Sequence, residues 1–113
     1  MTEHVSEPTR IRAVLTGGKG GDTVEVRMRL VHDMETGRRA GADGKVVPAW
    51  FVQRVSVTHR GRTVFAAQCG PTVSRNPQFA FRFSGAKAGE SMAVTWVDSR
   101  GESRRDEAAI VPG

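Results

Sequence analysis

Val24-Glu-Val-Arg-Met-Arg-Leu-Val-His-Asp-Met-Glu-Thr-Gly37 is the stretch that decides how this chain is read. Val24, Val26, Met28 and Leu30 share one parity, while Glu25, Arg27 and Arg29 take the other. A period of two describes a strand with one face in a core and one in water. The strand runs into His32-Asp-Met-Glu-Thr-Gly37, a compact polar segment that holds one large apolar side chain. Gly37 supplies the backbone freedom to turn away. The other apolar rows are expected to cover this strand, and its distal loop is the feature expected to meet a partner.

Those rows are short and alternate. Ile11, Ala13 and Leu15 make a first strand; Trp50 or Phe51 to Thr58 makes another, with Val55 and Val57 on one face. Thr63 to Cys69 returns antiparallel to it through Thr58-His-Arg-Gly-Arg62, read as a type I turn with Gly61 left-handed. Gly70-Pro71 and Asn76-Pro77 are corners, and between them the chain has room for one helical turn at most. Phe79, Phe81 and Phe83 form one inward row and Met92, Val94 and Trp96 another. Asp98-Ser-Arg-Gly101 has type I turn chemistry, and Glu102 to Val111 is polar enough for an edge strand. Lys45 to Pro48 is expected to pair briefly at an edge, and Arg38 to Gly44 to be a mobile loop. The pattern predicts an all-β, immunoglobulin-like antiparallel β-sandwich of about seven strands, without the Cys-Trp-Cys signature of a true immunoglobulin domain. Residues 1–10 read as a flexible tail and 11–113 as a single domain.

With 13 Gly and no helix-period segment, a helical fold is disfavoured. No window approaches the roughly 20 apolar residues of a membrane span. Met1 to Thr9 has neither a basic nor an apolar run, so it does not read as a signal peptide, and by itself it points to the cytoplasm. The net charge of +5 raises the question of nucleic acid. Arg10, Arg12, Arg27, Arg29, Arg54, Arg62, Arg82 and Arg100 are scattered, as on solvated sheet faces, and there is no aromatic run or basic helix. An acidic protein partner accounts for the charge equally well. Thr16-Gly-Gly-Lys-Gly-Gly-Asp22 is not a P-loop, because the Lys precedes the second Gly pair and a strand follows; it reads as a flexible connection.

No catalytic constellation emerges, and no cofactor or metal is expected. His4, His32 and His59 form no pair, and His32 with Asp33 and Glu35 is a weaker metal reading than a hydrogen-bonded loop histidine. Cys69 and His59 should lie about 20 Å apart along a hairpin, too far for a nucleophile and its base. Glu102, Asp106 and Glu107 alternate with Arg104 and Arg105 as a solvated face. The partner-binding candidates are His32, Met34, Glu35, Arg38, Pro48, Trp50 and Phe51, because Met34 and Trp50 place apolar groups in polar loops. The competing reading is that Trp50 is core and Met34 folds back. Cys69 is either a buried structural thiol or an intermolecular disulfide partner.

His32 to Gly37, Gly44-Lys-Val-Val-Pro48, Phe65, Gly70-Pro71, Asn76-Pro77, Trp96 and the Asp98-to-Gly101 turn together resemble the SoxZ family, at matching spacings over nearly the whole chain. The resemblance implies a non-catalytic subunit of a thiosulfate-oxidation system. Such chains pair with SoxY as a heterodimer or heterotetramer. SoxY's flexible Gly-Gly-Cys-Gly-Gly arm carries the sulfur substrate to SoxAX, SoxB and, where present, SoxCD. The resemblance also implies a periplasmic site reached by co-export with SoxY, the reverse of the N-terminal reading, and self-association when the chain is isolated. The alternative is a stand-alone basic β-sandwich that binds an acidic protein or nucleic acid.

Overall fold

The computed structural model describes residues 6–17 and 21–113. Seven strands follow in order: β1 (Arg10–Thr16), β2 (Thr23–Arg29), β3 (Val52–His59), β4 (Arg62–Gln68), β5 (Gln78–Phe83), β6 (Ser91–Asp98) and β7 (Ser103–Ala109). They build a three-stranded sheet, β1-β2-β5, and a four-stranded sheet, β4-β3-β6-β7, with every neighbour antiparallel. The all-β sandwich expected from the alternation is the fold observed.

β2 lies at the centre of its sheet, and Val24, Val26, Met28 and Leu30 are buried, as their shared parity requires. Val55 and Val57 from β3 and Met92, Val94 and Trp96 from β6 complete one continuous core with them. Val52 is fully buried although its parity differs from that of Val55. A bulge between Val52 and Arg54 on the β6 side lets both face inward. Of the Phe row, Phe83 is buried, whereas Phe79 and Phe81 are partly covered at the sheet edge. Phe81 stacks on Phe65 of β4 at 4.4 Å between centroids, which joins the two sheets on their open side.

Three sequence readings need correction. The β3–β4 turn is a two-residue loop in which both Arg60 and Gly61 have positive φ, 50° and 76°. That is the type I′ pattern, favoured in hairpins because its twist matches that of the strands, where a type I turn would splay them. The tail does not run loose to Arg10. Thr9 N–H donates to Asp106 at 2.9 Å, and Arg104 donates to the Ser6 carbonyl, while Arg10 already belongs to β1. Residues 1–5 and the 18–20 part of the glycine connection lie outside the described residues. The stretch from Arg38 to Gly44, read as a mobile loop, forms one side and the turn of a small hairpin. Ala40 bridges Val46, and Val47 N–H donates to the Arg39 carbonyl at 2.8 Å.

Candidate functional site

The loops that follow β2, β4 and β6 gather at one end of the sandwich, and a buried polar cluster ties them together. His32 leaves β2 with its N–H donating to Asn76 Oδ1 at 2.9 Å, and its carbonyl accepts the Asn76 N–H at 3.0 Å. Asn76 can turn its side chain back this way because it occupies the left-handed region, φ 52°, which asparagine tolerates. His32 Nδ1 accepts the Met34 N–H at 3.1 Å, so the ring proton sits on Nε2, 3.1 Å from Asp98 Oδ2. The same Oδ2 accepts the indole N–H of Trp50 at 2.8 Å. Asp98 Oδ1 accepts the N–H groups of Arg100 and Glu102 at 2.9 and 3.0 Å, as the expected Asp-first turn requires. The carboxylate therefore receives four donors while only 1% exposed.

Burial pushes the Asp98 carboxyl up. The hydrogen bonds from His32, Trp50 and the Glu102 and Arg100 amides more than reverse this and hold it below the usual aspartate value. The rings are packed as tightly as the polar atoms are paired. Trp50 lies 4.7 Å from His32, Trp96 meets His32 edge-on at 5.4 Å, and the Arg100 guanidinium caps the outer face of Trp50 at 4.3 Å.

This cluster decides the fate of the apolar loop residues. Met34 takes φ 52°, which turns its side chain inward, where its sulfur accepts the Val52 N–H at 3.3 Å. Glu35 and Trp50 pair backbone to backbone at 2.6 and 3.0 Å and close the loop beneath it. His32, Met34 and Trp50 are thus 4%, 4% and 6% exposed. The expectation that Met34 and Trp50 present apolar groups to a partner is corrected: the competing reading, core Trp50 and folded-back Met34, is the one observed, and His32 is the hydrogen-bonded loop histidine that the sequence favoured. A buried donor that has an acceptor and a large apolar group that has a core are more stable inside than in water. Arg38 and Pro48 are exposed around them, while Glu35 and Phe51 are half-buried, Phe51 with its ring against the core. Glu35 grips Arg39 at 2.8 Å, and that hydrogen bond lowers its carboxyl.

A family model described as sulphur oxidation protein SoxZ matches residues 11–109. The chain belongs to the SoxZ family. No curated protein matches it significantly. Among solved structures it is similar to a superoxide reductase (neelaredoxin) from Ignicoccus hospitalis, with a TM-score of 0.59 and 10% identity over 96% of this chain and 82% of that one. At that identity the likeness concerns the fold alone.

In this SoxZ-family chain the weak metal reading of His32, Asp33 and Glu35 fails on geometry. Both ring nitrogens of His32 are taken, Asp33 reaches out to Arg75 at 3.4 Å, and Glu35 is held by Arg39. No group of three or more metal-ligating side chains converges among the described residues. His59 is bonded to Glu90 at 3.1 Å at the turn end of β3. The Cys69 N–H donates to the Gln53 carbonyl near the strand's opposite end, so the two do not meet. The Cys69 thiol is half-buried against the core, and that burial raises its pKa. Asp98 and Asn76 are the site residues that sequence reasoning missed. The Asp98 turn was legible, but nothing in the spacing links it to a histidine 66 positions away.

Proposed function

We propose that the chain is the non-catalytic subunit that pairs with SoxY to form the sulfur-substrate carrier of a thiosulfate-oxidation system. Membership of the SoxZ family supports it. The observation that carries the reading is the saturation of the His32–Asp98 cluster: both ring nitrogens and every favourable acceptor position of the carboxylate already have protein partners. A pair so occupied cannot abstract a proton or bind a substrate without dismantling the loops. Its work is to hold the loop of Glu35, Arg38, Pro48 and Phe51 in one shape, which suits a surface that must be recognised.

In this reading SoxY docks on that loop. The heterodimer is exported to the periplasm together, and SoxY's own thiol meets SoxAX, SoxB and SoxCD. Cys69 does not carry sulfur: a half-buried thiol at a strand end has neither the reach nor the exposure of a tethered carrier. The test is co-expression with a chain that ends in Gly-Gly-Cys-Gly-Gly. The two should co-purify, and Phe51→Asp with Arg38→Glu should weaken recovery of the pair while the variant stays folded. After exposure to thiosulfate and SoxAX, a Cys69→Ser complex should still show the mass increase on SoxY. An intact pair without that adduct would overturn the non-catalytic assignment. Recovery of a reporter fusion from the periplasm without SoxY would overturn co-export.

A further inference from the structure

Arg10, Arg12, Arg27 and Arg29 look scattered along the sequence, yet the β1–β2 register sets Arg10 opposite Arg29 and Arg12 opposite Arg27. All four are exposed, on the outer face of the three-stranded sheet. Cross-strand partners lie about 5 Å apart and same-strand neighbours about 7 Å, so four positive charges crowd one small rectangle. Among the described residues none of the four makes an ion pair. Six of the other arginines do: Arg82 with Glu25 on this same face, Arg39 with Glu35, Arg60 with Glu90, Arg75 with Asp33, Arg104 with Asp106 and Arg105 with Glu107. Arg38, Arg54, Arg62 and Arg100 make none among the described residues either, but none of them faces another arginine across a strand pair. Like charges set directly opposite weaken a strand pair, so the fold gains nothing from this arrangement. The patch also has relief. Ala80 and Gln78 of β5 lie beside Arg27 and Arg29, and their small or uncharged side chains leave a shallow depression of about 450 Å³ with the arginines around it.

We propose that this face docks an acidic protein segment in extended conformation, with carboxylates on alternate residues. Alternate side chains of an extended chain repeat at about 7 Å, the spacing of the same-strand arginines. Each guanidinium can take a carboxylate through two parallel hydrogen bonds. Nucleic acid fits less well, because the other outward side chains here include Val14, Thr16, Thr23, Gln78 and Ala80, with no aromatic ring to stack a base. A lone small anion would find only exposed donors that water solvates equally well. The docking face stands independently of the pairing with SoxY, since its test uses only this chain and a synthetic ligand.

The experiment measures binding of a fluorescent peptide with Glu at alternate positions, against its Gln counterpart, an oligothymidylate of equal charge and sodium sulfate as competitors. The Glu peptide should bind with an affinity that falls as salt rises, and the Gln peptide should not bind. Arg12→Gln with Arg27→Gln should weaken binding about tenfold or more, and so should Arg10→Gln with Arg29→Gln. Both double variants should unfold at the same temperature as the wild type or a higher one, because each removes facing like charges. Arg54→Gln with Arg62→Gln, which changes net charge equally on the other sheet, should leave affinity nearly unchanged. An equal loss in that control, tighter binding of the oligonucleotide, displacement by sulfate beyond its ionic-strength effect, or no binding at all would each overturn the proposal.

Discussion

Asp98 shows how much one side chain can hold. Replacing it with Ala strands the Trp50 indole N–H, the His32 Nε2–H and two backbone amides in the interior. Breaking such a buried cluster costs about 3–5 kcal/mol, a large share of the roughly 5–15 kcal/mol that holds a domain together. Asp98→Asn keeps the shape but turns an NH₂ toward two donors whichever way the amide is placed, and should cost about 1–3 kcal/mol. Urea unfolding with an unchanged m-value would check both. The pH dependence has a definite sign. The folded carboxyl lies below the unfolded aspartate value of about 3.9, so its stabilisation is complete above that pH and is lost as pH falls through the folded value. The gap between wild type and Asp98→Asn should therefore be constant at neutral pH and narrow from about pH 4 downward. The Cys69 thiol, raised by burial, should react with iodoacetamide more slowly at neutral pH than an unhindered thiol of ordinary pKa, about 8.5.

At the scale of elements, the turns and loops carry readable demands. The Arg60-Gly61 hairpin places an ordinary side chain at φ 50°. Asn is the residue that type I′ geometry prefers there, so Arg60→Asn should raise stability by about 0.5 kcal/mol, read as a higher urea midpoint. The exposed 3.6 Å pairing of Arg60 with Glu90 is too weak to reverse that gain. Gly37 is the opposite case. Its φ is 83°, and an added Cβ would come within 3.1 Å of the Ala49 Cβ, so Gly37→Ala should cost about 1–2 kcal/mol and loosen the small hairpin beyond it. Gly61, at φ 76° with nothing near it, should pay only the conformational part of that penalty on the same substitution. The hairpin's type I′ form was hidden in the sequence because Arg60 is not a residue that announces positive φ, whereas Gly37 does so by itself.

For the whole molecule, the His32–Asp98–Trp50 cluster joins segments that leave β2, enter β3 and end β6, while Asn76 clips the approach to β5. Amide exchange in Asp98→Asn should quicken across residues 31–50 and near Asn76, while central β3 and β6 amides stay protected; uniform loss of protection would show that the cluster supports the core rather than the loops. The sequence by itself determined the strands, the sandwich and the inward rows, because a period of two is a local property of consecutive residues. It also placed the loops, through Gly37, Asn76-Pro77 and the Asp98 turn. Only the tertiary structure decided that His32 and Asp98 meet, that Met34 and Trp50 face inward, and that four dispersed arginines share one face. Each depends on strand register and on which loops meet at the sandwich end. Those follow from long-range packing, and no spacing along the chain encodes them.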